Sequence, residues 1–279
     1  MSHISLATPQ TSLIGFRDQL YTIDSQISFN DDINQRGSGF GSLGMIQSTS
    51  FSGGATGSAN ITASTVGTAG VVTFVLTLSG AGGQSGGVGY GYFSTVRPII
   101  LATTQSLIFQ ARIACDLINI FSGTTRYFFF GLDDCTTVTA GHTNAIGFKT
   151  DSTSFQGDRF IASPITRSAG VETKSNPSNC FLLFTGDPKD FWRSYSFHMY
   201  YTAGAWKVDF YKFFEEKMLV GSTGEWVLMA THTTNIPSGV VLQPTIHDIC
   251  ASTSVGSAGT DTLKFDHLSV RVFNTVKRF

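Results

Sequence analysis

AWKVDFYKFFEEKMLVGS, residues 205–222, sets an aromatic-rich alternating run directly before two adjacent glutamates. Trp206, Val208 and Phe210 alternate with Lys207, Asp209 and Tyr211, the period-2 pattern of a strand with one apolar face turned inward. Aromatic platforms beside paired carboxylates are also the equipment of sugar-cleaving enzymes, so the stretch admits a catalytic reading. The spacing argues against it. Retaining glycosidases hold two carboxyls about 5–5.5 Å apart and inverting ones about 6.5–9.5 Å apart. Strand positions i and i+2 share a face, whereas Glu215 and Glu216, at i and i+1, would point to opposite faces. FFEEKMLV therefore reads as a hairpin with Glu215, Glu216 and Lys217 at its polar tip and Met218 to Val220 returning. The other glutamates are Glu172 and Glu225, and no E-x-D-x-E or E-x-x-E pattern occurs. A carboxylate pair assembled from distant strands stays open.

Outward from this stretch the same alternation recurs. In SLIFQARIA, Leu107, Phe109, Ala111 and Ile113 share one face while Gln110 and Arg112 take the other. RYFFFGLDD, residues 126–134, is apolar without alternation, as expected of a strand near a sheet centre covered on both sides. AIGFKT, RFIAS, CFLLFT, RSYSFHMYY and VLMATHT follow, punctuated by turn residues. In TLKFDHLSVRVF, Leu263 and Phe265 point one way and Leu268, Val270 and Val272 take the opposite phase. A bulge near Asp266 and His267 restores a single buried face. Between Asn30 and Gly91 the chain is rich in Gly, Ser and Thr, with strand-like islands GMIQSTS, ANITAS and GVVTFVLTLS. No amphipathic helix of more than three turns is legible. The pattern predicts an all-β fold, an antiparallel β-sandwich over residues 26–279, preceded by an N-terminal arm over residues 1–25.

Composition narrows the function classes. The 279 residues include 30 glycines and 13% aromatics, which favour strands and turns. Charged residues are 13% of the chain, against about 25% in an average soluble domain. A net charge of -1 gives no basic face, so nucleic acid is not an expected partner. So weakly charged a surface favours association with copies of itself or with other proteins. The start, MSHISLATPQTSLIGF, lacks the basic and continuous apolar segments of a secretion signal. No window has the roughly 18 apolar residues of a membrane-spanning helix, so no membrane partner is expected. Cys115, Cys135, Cys180 and Cys250 are scattered without a C-x-x-C, which predicts thiols in a reducing compartment rather than a zinc or redox motif.

The remaining candidate sites each have an ordinary structural alternative. Asp133 and Asp134 close a strand and would suit calcium. Six to eight oxygens are needed for that ion, and the sequence does not show the others, so turn capping is the preferred reading. His3, His142, His198, His232, His247 and His267 show no H-x-H or H-x-x-x-H spacing, so a metal cluster would need long-range convergence. Gly39, Gly41 and Gly44 match the letters of a dinucleotide loop, but strand-like MIQSTS follows where a helix is required. Trp192, Tyr195, Tyr200, Tyr201 and Trp206 are close enough in sequence to form a stacking platform for sugar, and core packing is the competing reading. No catalytic, metal or cofactor residue is assigned.

Three segments carry a resemblance to a known family: DFWRSYSFHMYYTAGAWKVDFYKFFEEKMLV, THTTNIPSGVVLQPTIHDICASTS and DTLKFDHLSVRVF. They resemble the C-terminal half of concanavalin A-like (laminin-G-like) jelly-roll sandwiches, at Trp192, Trp206, Ile236-Pro237, Leu242-Gln243-Pro244 and Asp266. SFNDDINQRGSGFGSLGMIQS, LIFQARI and RYFFFGLDD look like such domains as they occur in bacteriophage structural proteins. The likeness spans roughly residues 26–275. It implies a virion structural protein, a capsid decoration or cement protein or a head or tail fibre subunit. Such a protein forms a homo-oligomer, a trimer by analogy, docked on a major capsid or tail protein and located in the virion. The same fold also hosts carbohydrate-binding modules, which makes a host glycan the alternative partner, and glucanases, whose carboxylate motif has no counterpart here.

Overall fold

A computed structural model describes residues 27–31, 45–52, 55–62, 71–78, 88–95, 98–117, 124–135, 142–150, 155–156, 159–177, 181–184, 192–214, 224–252 and 259–274. The chain enters through β1 (Ile27–Asp31), β2 (Met45–Ser52), β3 (Ala55–Thr62), β4 (Val71–Leu78) and β5 (Val88–Thr95). Two long strands, β6 (Gln105–Leu117) and β7 (Thr124–Asp133), precede β8 (Ala145–Thr150). Shorter strands follow: β9 (Phe155–Gln156), β10 (Arg159–Ile161), β11 (Ser163–Ser168), β12 (Val171–Lys174) and β13 (Phe181–Phe184). The last are β14 (Arg193–Thr202), β15 (Ala205–Phe214), β16 (Glu225–His232), β17 (Gln243–Ser252) and β18 (Gly259–Asn274). There is no helix among the described residues, and so none long and apolar enough to cross a membrane.

Two large sheets carry the molecule. The eight-stranded sheet runs β16-β15-β14-β6-β18-β4-β3, with β1 beside β18. The seven-stranded sheet runs β12-β11-β8-β7-β17-β5-β2, and β13-β10-β9 form a small third sheet. All of these pairings are antiparallel. The expected all-β, two-sheet antiparallel sandwich is the fold observed, with the chain passing repeatedly from one sheet to the other.

Alternation explains which side chains fill the space between the sheets. From β6, Leu107, Phe109, Ala111 and Ile113 face inward, as read from the sequence; from β15, Val208 and Phe210 do. Phe109 stacks on Phe197 of β14 at 4.9 Å between ring centres. Across the core, Phe130 and Phe148 of the seven-stranded sheet meet Tyr195 of the other sheet at 5.3 and 5.1 Å. Phe148 also meets Phe210 edge-on at 5.4 Å. Each aromatic so buried contributes about 1.5–3 kcal/mol over an exposed one, and each tilted or edge-on ring pair about 0.5–1.5 kcal/mol more. Strand β7 lies fourth of seven in its sheet, and Phe128, Phe129 and Phe130 are all buried, which explains its unbroken apolar run.

The register of β18 against β6 shifts between Phe265 and His267, the bulge that the change of phase predicts, and Leu268, Val270 and Val272 are then buried. Two connections are two-residue hairpins. Ala169-Gly170 joins β11 to β12 and Ala203-Gly204 joins β14 to β15, with positive φ at all four residues. Double positive φ is the primed turn that matches the twist of a two-stranded ribbon. Strands β15 and β16 pair antiparallel, as expected of a hairpin, while Met218 to Val220, read as its return, lie outside the described residues. Glu215, Glu216 and the arm at 1–25 lie outside the described residues, as do the glycines at 39, 41 and 44.

Candidate functional site

The outer face of each large sheet carries polar chemistry. On the eight-stranded sheet, the even-numbered residues of β6 and β14 point away from the core, and Gln110, Ser194, Ser196 and His198 form a buried polar band. Asp209 lies opposite His198 in the β14–β15 register. Its carboxylate accepts the hydroxyls of Thr231 at 2.7 Å, Tyr200 at 3.0 Å and Tyr211 at 3.5 Å. The His198 and Tyr200 rings stack at 4.8 Å with 29° between planes. Towards the β14–β15 hairpin the face opens: Tyr200 and Lys207 are half-buried and Thr231 is exposed. The half-buried Tyr200 ring thus stands over the buried Asp209 carboxylate and beside exposed Thr231, with Lys207 opposite Tyr200 in the strand register.

The five aromatics read as a possible platform are divided by the structure. Tyr195 is wholly buried in the core. Trp206 packs against the core's edge, with Tyr201 edge-on at 5.4 Å. Trp192 lies under the Arg112 guanidinium at 5.4 Å. Of the five, only Tyr200 stands in the Asp209 corner.

On the seven-stranded sheet a second cluster is buried. Strands β7 and β17 are neighbours, with Gln243 opposite Asp133, Thr245 opposite Gly131 and His247 opposite Phe129. Asp133, Thr245 and His247 therefore share the outward face, two residues apart along each strand. His247 Nε2 donates to Asp133 Oδ2 at 2.7 Å, and Thr245 Oγ1 and the Cys135 backbone N–H donate to Oδ1 at 2.8 and 3.1 Å. His142, just before β8, brings Nδ1 to 3.6 Å from Oδ2. The metal-ligating atoms of Asp133, Cys135, His142 and His247 all lie within 4.8 Å of one another, and all four residues are buried. Phe129 forms the floor, its ring 4.8 Å from that of His142 and 6.1 Å from that of His247. Gly147 leaves room for it, since a Cβ there would stand 2.9 Å from Phe129 Cε2.

Electrostatics separate the members of this cluster. Burial pushes the Asp133 carboxyl up, but the imidazoles of His142 and His247 and the Thr245 hydroxyl more than offset this, and its pKa is lowered. The Cys135 thiol is driven well above the ordinary thiol range by burial and by the charges of Asp133 and Asp134, so it stays protonated and is no nucleophile. The turn-capping bond expected here is made by Asp133 to the Cys135 N–H, whereas Asp134 reaches further, accepting the Thr143 and Asn144 backbone N–H groups at 2.9 and 3.1 Å and Asn144 Nδ2 at 2.8 Å. Sequence spacing left this cluster unassembled, because Asp133 and His247 are 114 residues apart. The available signals were the D-x-C step at the end of a central strand, followed by His142, and a histidine in the outward phase of TIHDIC.

A fourth buried histidine, His232 of β16, joins the two sheets. Thr166 Oγ1 of β11 donates to the Thr234 carbonyl, which leaves His232 Nδ1 to donate to Thr166 at 3.0 Å, and Nε2 to accept from Ser175 Oγ at 2.9 Å. Burial lowers the His232 pKa to about 4, so this neutral tautomer persists.

No protein-family model matches the chain, and a search of curated proteins finds no match. Among solved structures, the chain is similar to an endo-1,3-beta-glucanase from Streptomyces sioyaensis, with TM-score 0.47 and 10% identity over 90% of this chain and 96% of that one. It is also similar to winged bean acidic lectin, with TM-score 0.44 and 13% identity over 89% and 99%. Lectin I from Ulex europaeus gives 0.43 and 11% over 91% and 100%. Likenesses of this degree carry no inference about a site. What the chain's own pairing defines is a class, the two-sheet antiparallel β-sandwich.

Proposed function

We propose that this protein is a non-catalytic binding module whose ligand is a glycan, held on the outer face of the eight-stranded sheet. The observation that carries the reading is the Asp209 corner, where the half-buried Tyr200 ring stands beside the buried Asp209 carboxylate and exposed Thr231, with half-buried Lys207 opposite Tyr200 in the register. A sugar offers an apolar C–H face and a rim of hydroxyls, which an aromatic ring and a few fixed polar groups complement. Binding without cleavage is supported by how the carboxylates are used. Among the described residues, Asp133, Asp134 and Asp209 accept the protein's own donors, and Glu172 pairs with Lys149 at 3.1 Å. A glycosidase needs two carboxyls facing a shared substrate.

Screening the full chain against immobilised glycans should find a ligand class. Tyr200→Ala should then weaken binding at least tenfold with little change in melting temperature. A blank screen, or an unaltered affinity in Tyr200→Ala, would sink this reading.

A second reading, the virion structural protein, has one observation in its favour. Strands β12 and β16 end their respective sheets, and they carry exposed Val171 and Leu228 at 58% and 51% accessibility. Apolar side chains on unpaired edges suit subunit contacts, with another copy or with a capsid or tail protein.

A further inference from the structure

We propose that Asp133, Cys135, His142 and His247 form a closed zinc site on the outer face of the seven-stranded sheet. The inference is independent of the glycan reading, which concerns the opposite sheet.

Four donors of the right chemical kinds come to one point from three places in the chain. Asp133 and Cys135 leave the end of β7 two residues apart. His247 stands on the neighbouring strand β17, and His142 comes from just before β8. One carboxylate oxygen, one sulfur and two imidazole nitrogens suit zinc, whereas calcium and magnesium prefer oxygen alone. Four protein ligands fill a tetrahedral shell, which is the mark of a structural rather than a catalytic zinc.

The geometry is close to what the ion requires. Bonds of about 2.0–2.3 Å around a tetrahedral zinc place its ligands about 3.3–3.8 Å apart. His142 Nδ1 and Asp133 Oδ2 already stand at 3.6 Å. The His247–Asp133 contact, at 2.7 Å, must open, and the widest separation, at most 4.8 Å, must close. Both changes are about 1 Å. On binding, His247 Nε2 turns from donor to ligand, its proton passing to Nδ1, and Cys135 releases its proton to solvent. The thiol that is inert beside a carboxylate becomes a thiolate beside a dication.

The Thr245 hydroxyl on Asp133 Oδ1 then holds the carboxylate in place from outside the shell. The Phe129 ring closes the underside. A zinc so held would tie the ends of β7 and β8 to β17, the middle of the sheet.

The full-length protein, stripped by chelator, should take up one zinc per chain on equilibrium dialysis and melt at a higher temperature with it. Cobalt in place of zinc should give the near-ultraviolet thiolate-to-metal band that reports a Cys135 ligand. Cys135→Ser should remove that band, and His142→Gln, next to exposed Thr143, should weaken zinc binding at least tenfold while the protein still folds. Either of two results overturns the proposal: less than a tenth of an equivalent of zinc with no melting shift, or metal uptake that ignores both substitutions. In that case the four residues are a hydrogen-bonded network only.

Discussion

His232 shows how far a single residue can tie the two sheets together. It belongs to β16 and meets Thr166 and Ser175 from the other side of the sandwich, with the Phe210 ring 4.9 Å away. Its pKa is near 4 in the fold, against about 6.5 in an unfolded chain. The neutral ring therefore contributes its full stability above about pH 6.5, and the contribution is lost as the pH falls towards 4, reaching about 3 kcal/mol. Urea titrations at pH 7, 5 and 4 should show His232→Gln less stable than the parent at pH 7, with the gap narrowing or reversing at pH 4. A constant gap would mean that the ring titrates normally. Sequence alone marked His232 only as one of several histidines without spacing, since its partners lie 57 and 66 residues away. The Asp133 cluster was hidden for the same reason. Chemistry that depends on which strands become neighbours does not appear in local spacing.

Elements were far more legible, because their causes are local. Alternation fixed the buried faces of β6 and β15, and the change of phase in β18 located its bulge. The two primed turns were less legible, since Ala-Gly lacks the usual Asn-Gly signature. Ala203 and Gly204 adopt φ of 49° and 81°, and a Cβ at Gly204 would meet nothing within 4 Å. Any cost there belongs to the backbone alone. Gly204→Ala should destabilise the protein by about 1–2 kcal/mol. Ala203→Asn should stabilise it by a few tenths of a kcal/mol, asparagine being the non-glycine residue most at ease there. Thermal melts of the two variants test this; a neutral Gly204→Ala would mean that the turn relaxes to another type.

At the scale of the whole molecule, the edge formed by β12 and β16 is the feature that separates a lone module from a building block. Hydrogen bonds join its two sides, Thr173 to Thr234 at 2.9 Å and Asn235 to Thr173 at 2.9 Å, so the edge behaves as one surface. If copies associate there, sedimentation of the full chain should show an oligomer. Lysine at both Val171 and Leu228 should return it to monomer, because charge on an edge strand opposes pairing. A parent that stays monomeric at high concentration removes the assembly reading.

Strands β1 and β18 run side by side, with Ile27 opposite Val272. The chain therefore enters the described body and leaves it at one end of the same strand pair. Pulled apart at these two points, the pair is loaded across its ladder and peels one hydrogen bond at a time, a weak geometry in force spectroscopy. By the same token, a short peptide joining residue 27 to residue 274 in a chain trimmed to these strands would close the body into a ring with little distortion. New ends could then be cut at a surface turn such as Ala169-Gly170, and the body could be grafted whole into a loop of another protein.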